Sequence, residues 1–267
     1  MRELTLPSRA SPRSIAPATP ALGRPLRLDV ALTPDVLDRQ ALPASTVLVV
    51  DVLRASTTMI AALGNGCAGI VPVADPAEAL RRKRAAGAGT LVAGERRGET
   101  VAGFDLGNSP LEFTRERVDG KLVIFTTSNG TRALLAARPA PAVGVAALVN
   151  VTAAAAWALA GGRDVTVLCA GERGAVSLED QVCAGLLVDR LVRDEPRAQA
   201  TEAARRALEV GRGYGKDVAR LAHDSPWARH LALGGRAADV AACLALDTTT
   251  LVPLFAADVD KVIAGSR

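Results

Sequence analysis

The chain repeats one unit: a short apolar run, a polar loop, then a stretch with helical spacing. Residues 47–52 are apolar except for Asp51, and residues 56–63 follow with helical periodicity. An apolar run of that length reads as a strand buried on both faces. Residues 70–73, 90–93, 122–125, 143–147 and 165–169 read as further strands, with helices at 76–86, 131–137 and 151–159 between them. This alternation predicts an α/β fold with a largely parallel sheet covered on both faces. Residues 178–246 read as mostly helical, broken at Pro196, at 211–215 and at Gly234-Gly235, before a last strand near 250–254.

At 267 residues with 49% hydrophobic content the chain can bury a sizeable core. A single domain is expected over residues 27–267. Residues 1–26 carry Pro7, Pro12, Pro17, Pro20 and Pro25, too many for a helix, and are expected to be a disordered extension. Five arginines against Glu3 before Leu28 account for the whole net charge of +4, so the rest of the chain is neutral. A nucleic-acid binder would place its positive charge on the folded surface, so that partner class is not expected. Cys67, Cys169, Cys183 and Cys243 are far apart and form no ligand cluster, which predicts buried thiols in a reducing compartment. No apolar run approaches the roughly 18 residues that span a bilayer. A cytoplasmic protein with no membrane partner is the expectation.

In open α/β sheets ligands gather outside the carboxyl ends of strands, and the polar motifs fall there. Asp51 offers a carboxylate for a hard cation, Arg54 a planar fork for phosphate, and Ser56 and Thr57 a helix start with donors for an anion. The same residues also suit an ordinary N-cap. Gly94-Glu95-Arg96 offers a second carboxylate and a second anion clamp, or a solvated turn. In the run from Gly103 to Pro110, Asp105 and Asn108 can orient water or a substrate oxygen, with Ser109 beside them, or simply form a turn. Thr127, Asn129 and Gly130 present a hydroxyl, an amide and backbone N–H groups ahead of a helix, which suits sulfonate, carboxylate or phosphate and equally a capped helix start. Ser177 with Asp180 reads as a capping box. Gly64-Asn65-Gly66-Cys67-Ala68-Gly69 fits a dinucleotide fingerprint in letters only, because it follows a helix and precedes a strand.

Together the stretches 51–58, 94–96, 103–110, 126–131 and 177–180 resemble the 2-phosphosulfolactate phosphatase, or ComB, family, from about Leu28 to Phe255. The resemblance implies a three-layer α/β/α fold with a mixed sheet and a Mg2+-dependent phosphatase that converts 2-phosphosulfolactate to 3-sulfolactate. It implies catalytic roles for Asp51, Arg54, Glu95 and Asp105, and substrate binding by Ser56, Thr57, Arg96, Asn108, Ser109, Thr127, Asn129 and Gly130. Asp51, Glu95, Glu179 and Asp180 become the candidate Mg2+ ligands. The implied partner is a small anionic phosphorylated substrate, and a homo-oligomer is left open. Arg97 and Glu99 stand where the family pattern has a smaller, glycine-richer turn, and Ser128 where it has threonine. The other readings are a phosphatase of a different phosphorylated hydroxy acid and a non-catalytic binder of small anions. His223 and His230 lack the spacing of a triad, and one of them is expected to approach the site or to pack.

Overall fold

The computed structural model describes residues 24–265 other than Ala88, so the expected extension over residues 1–26 lies almost wholly outside the described residues. The strands are β1 (Arg27–Ala31), β2 (Ser45–Val50), β3 (Gly69–Pro72), β4 (Thr90–Arg96), β5 (Glu99–Thr100), β6 (Leu122–Thr126), β7 (Ala142–Ala146), β8 (Asp164–Cys169), β9 (Gln199–Ala200), β10 (Pro253–Ala256) and β11 (Lys261–Ala264). The helices are α1 (Ala55–Gly64), α2 (Pro76–Ala86), α3 (Arg115–Val118), α4 (Gly130–Ala136), α5 (Val151–Ala160), α6 (Leu178–Asp194), α7 (Glu202–Tyr214), α8 (Leu221–Asp224), α9 (Pro226–Leu231) and α10 (Ala237–Cys243).

All the strands join one mixed sheet in the order β5, β4, β6, β3, β11, β10, β7, β2, β8, β1, β9. Two parallel blocks, β4/β6/β3 and β7/β2/β8/β1/β9, flank the antiparallel pair β10/β11. That pair is a narrow bridge: β10 meets β7 at Leu254 and Gly144, and β11 meets β3 at Val262 and Ile70. Three antiparallel contacts oppose the blocks, and neighbouring strands rotate by roughly 20–25° each. Even so, loops that follow β2 and β8 in one block and β4 and β6 in the other line a single cavity.

Strand β2 is buried at every position, and each of its valines and its leucine contributes roughly 1.5–3 kcal/mol by leaving water. On one face Leu48 and Val50, with Val165 and Val167 of β8, pack under α5, α6 and α7 through Ala154, Val182, Leu186 and Ala207. On the other, Val47 and Val49 pack with Met59 and Ile60 of α1 and Leu134 of α4. This second core also takes in Phe125 of β6 and Ile70 of β3, so it spans both blocks. Helix α2 covers the outer face of the β4/β6/β3 block through Ala79, Val71, Val92 and Ile124. The result is the three-layer α/β/α arrangement with a mixed sheet that the resemblance implies. Among the described residues no helix is long and apolar enough to cross a membrane.

The sequence places strands β2 to β4, β6 to β8 and β10 within a few residues of where they lie. Strand β1 carries no such signal because Arg27 and Asp29 interrupt it, and it forms by pairing with β8 and β9. The four-residue β11 exists by pairing with β10. The expected break at 211–215 falls at the far end of that range: α7 runs through Gly211 and stops at Tyr214, with Gly215 as its cap. Gly211 is there for contact, since a Cβ on it would stand 2.6 Å from the Gly185 carbonyl carbon of α6, and one on Gly185 2.0 Å from the Ala207 oxygen. Neither backbone can yield without parting the two helices. Gly185→Ala is therefore expected to cost about 1–3 kcal/mol in urea unfolding, whereas Gly213→Ala, which meets nothing within 4 Å, leaves stability equal or slightly higher.

Candidate active site

Asp51 follows the last residue of β2, and the turn into α1 is built around it. Its Oδ1 accepts from the Ala55 N–H at 3.1 Å, its carbonyl accepts from the Ser56 N–H at 2.9 Å, and its own N–H donates to Ser56 Oγ at 3.0 Å. The Ser56 hydroxyl donates on to Val49 O, and Thr57 donates to Val52 O at 3.0 Å. The start of α1 thus spends its donors on its own turn. Ser56 and Thr57 are buried, with their hydroxyls bonded to Val49 O and Val52 O, and neither lines the main cavity. The Asp51 Oδ2 faces Gly130 of α4, where a Cβ would stand 2.5 Å away; glycine is needed there for approach.

Glu95, near the end of β4, ties the β4–β5 turn to the loop after β6. Its Oε1 accepts from the Ser128 N–H at 2.7 Å, and its Oε2 from the Gly98 N–H at 2.7 Å and the Ser128 hydroxyl at 3.2 Å. Arg96 donates to the carbonyls of Glu95 and Ala74 and to Thr126 Oγ1 at 2.8 Å. Thr127 accepts at its Oγ1 from the Thr131 N–H. Asn129 donates to Glu172 at 2.8 Å and accepts from the Arg173 N–H. Arg54 is buried and paired with Asp239 of α10 at 2.6 Å, and it also donates to Gly98 O at 3.0 Å.

One cavity of about 710 Å³ gathers Asp51, Arg54, Glu95, Arg96, Asn108, Thr127 and Asn129 from the candidates, with Gly130 against its floor. Five arginines line it, Arg54, Arg96, Arg97, Arg132 and Arg173, against three acids, Asp51, Glu95 and Glu172. The sequence reading had not singled out Glu172, Arg173 or Trp227. Glu172 lay within the polar stretch after β8, whereas Trp227 and Asp239 are distant in the chain and carry no local signal. Trp227 donates its indole N–H to Leu53 O at 3.1 Å and stacks on His230 with ring centroids 4.9 Å apart. His230 therefore meets the cavity wall through the tryptophan, and neither histidine lines the cavity.

Four other candidates lie elsewhere. Asp105 sits on the outer face, where Lys83 and the Val92 N–H hold it, both of its oxygens being within 2.5 Å of Lys83 Nζ. It clips α2 to β4 and does not line the main cavity. Ser109 donates to Asp239 at 2.5 Å and lines a second cavity of about 290 Å³, whose wall shares Arg54 and Asn108 with the first. Asp180 accepts from the Val52 N–H at 2.8 Å and the Gly171 N–H at 3.1 Å, pinning the β2 and β8 loops. Glu179 accepts from Ser225 at 2.7 Å and lines a neighbouring cavity. Glu179 and Asp180 are absent from the main cavity wall, yet both lie close enough to Asp51 to interact with it electrostatically.

Burial pushes the Asp51 carboxyl up to about 7, against the pull of the Ala55 N–H, and nearby Glu95, Glu172 and Glu179 add to the rise. Burial likewise raises Glu172, and it raises Asp180 well above the carboxylate range with help from Asp51 and Glu179. Among the described residues no three acidic, histidine or cysteine side chains form a ready cage for a metal. Mg2+ needs none, since it binds through one or two carboxylates, keeps several waters and takes substrate phosphate oxygens. Asp51 and Glu95, oxygen donors on one cavity wall, fit that demand.

Strand ends that gather arginines around buried carboxylates define an α/β protein equipped for a small, multiply charged anion. The model of the 2-phosphosulpholactate phosphatase family matches residues 31–258, and the chain belongs to that family. It is 36% identical to a probable 2-phosphosulfolactate phosphatase of Symbiobacterium thermophilum over 81% of this chain and 93% of that protein. It is also 36% identical to a Thermotoga maritima protein of the same description, over 78% and 88%. A Clostridium acetobutylicum relative, so described as well, is 30% identical over 86% and 97%.

The raised Asp51 pKa has a consequence for stability. Between the ordinary carboxyl value of 3.8 and about 7 the unfolded chain gives up a proton that the folded chain keeps, so stability falls as pH rises through that window. Asp51→Asn removes the effect. Thermal unfolding is expected to show the variant gaining on the native protein from pH 4 to pH 7, with the difference level above pH 8.

Proposed function

We propose that this chain is a phosphoric monoester hydrolase that converts 2-phosphosulfolactate to 3-sulfolactate and phosphate. The observation that carries this reading is the cavity itself, where five arginines surround carboxylates held at the ends of β2, β4 and β8. A plain anion binder gains nothing from carboxylates beside its ligand, while a phosphatase needs them to hold a cation and to move a proton. The names of the relatives support the substrate, which carries a phosphate, a carboxylate and a sulfonate.

Arg54 and Arg96 are fixed by hydrogen bonds to protein groups, and their remaining N–H groups bind the phosphoryl oxygens. Donors held in place in this way strengthen as charge builds in the transition state without first having to reorganise. Asp51 and Glu95 hold Mg2+, which when bound withdraws charge from the phosphoryl group. Glu172, hydrogen-bonded to Asn129 through one oxygen, paired with Arg173 through the other and raised by burial, accepts the proton of the attacking water. That proton passes to the sulfolactate oxygen freed as its bond to phosphorus breaks. The backbone N–H groups of the turn from Thr127 to Gly130 and the outer arginines receive the carboxylate and sulfonate. The enzyme works in the cytoplasm.

The test is phosphate release from 2-phosphosulfolactate, beside 3-phosphoglycerate and 2-phospholactate. Release is expected with Mg2+, to stop with a chelator and to return when Mg2+ is restored. Asp51→Asn and Glu172→Gln are each expected to cost about 100-fold or more in kcat while remaining folded by circular dichroism. Release from a control alone would keep the phosphatase and replace the substrate; release unaffected by the chelator would remove the metal.

A further inference from the structure

The turn between β4 and β5 is a two-residue hairpin loop, Arg97-Gly98, set by pairing of Arg96 with Glu99. Both loop residues have positive φ, 56° at Arg97 and 85° at Gly98, which is the type I′ arrangement that favours Asn-Gly, Asp-Gly or Gly-Gly. An arginine in the first position works against the local backbone preference. Nothing in the fold repays it through the side chain. Among the described residues the Arg97 guanidinium makes no ion pair and no hydrogen bond, and the residue's recorded polar contact is its backbone N–H to Ser128 Oγ.

The other arginines of the cavity are committed. Arg54 is paired with Asp239, Arg132 with Asp35 and Arg173 with Glu172, and Arg96 is bonded to two carbonyls and a hydroxyl. Arg97 is exposed on the cavity's rim, whereas Asp51 and Glu95 are buried in its wall. A free, planar, weakly hydrated cation at the mouth suits the part of a substrate that points outward when its phosphate lies against the buried groups.

We propose that Arg97 is a specificity residue that grips the outer anionic substituent of the substrate, the sulfonate. This rests on the phosphatase reading above. It explains why a strained arginine occupies a turn that glycine would form more easily: the residue serves the ligand and not the fold.

The experiment compares Arg97→Gly and Arg97→Gln with the native protein. Glutamine keeps the strained backbone and removes the charge, while glycine removes both. Each variant is expected to cut the preference for 2-phosphosulfolactate over 2-phospholactate by about tenfold, chiefly through KM, as the loss of one charge-assisted contact dictates. Arg97→Gly is expected to melt at a higher temperature than the native protein. An arginine kept for the fold would give the reverse, lower melting with the preference intact, and that result overturns the proposal. Should the native protein release no phosphate from either compound, the phosphatase reading falls. Calorimetry with 3-sulfolactate and lactate then decides Arg97: discrimination lost in Arg97→Gln supports it, and equal affinities in both proteins overturn it.

Discussion

Taking the Asp51 carboxylate out of water is the constraint on which the site depends. An ionised carboxyl in that place is costly unless something pairs with it, and its protein partner is the Ala55 N–H, with Glu95, Glu172 and Glu179 close enough to make matters worse. The cost is met in two ways: by a proton, retained up to near neutrality, or by a cation. The hollow among these acids is thus a place of stored unfavourable charge, and the ring of arginines draws an anion towards it. In the proposed function, substrate and metal would relieve opposite imbalances in one cavity.

The other acids at the strand ends also hold the loops together. Glu95 joins the β4 turn to the loop after β6, Asp180 joins the loops after β2 and β8, and Asp239 holds Arg54 and Ser109 together. Each takes hydrogen-bond donors from two separate segments, so a carboxylate does what a backbone ladder cannot do across irregular loops. Buried backbone N–H groups require acceptors, and charged acceptors supply the stronger bonds. The same chemistry that makes a clip can make a ligand, and acids of both kinds of use gather around one cavity.

That double use marks the boundary of what the sequence disclosed. The core strands were legible because Val47 to Val50 and their counterparts are buried on both faces, and such burial leaves an unbroken apolar run. The edge of the sheet that carries the site was legible for the same reason, since Asp51, Glu95, Thr127 and Asn129 each follow or end such a run. Ser56, Thr57 and Asp105 show what a string of letters leaves out, which is direction. A hydroxyl turned back to Val49 O or Val52 O looks the same as one turned to a ligand. Asp239 and Trp227 were out of reach, since the partner of Arg54 lies 185 residues away.

The antiparallel bridge in the middle of the sheet bears on how the protein is made. β10 and β11 follow every other strand in the chain, yet they sit between β3 and β7 and are the seam that joins the two blocks. During translation each block can pair its own strands as they leave the ribosome, but the blocks have no shared ladder until that final hairpin inserts. The cavity draws its wall from both blocks, so the last segment of the chain to be synthesised supplies the only strand pairing that holds the two sides of the pocket in one sheet among the described residues.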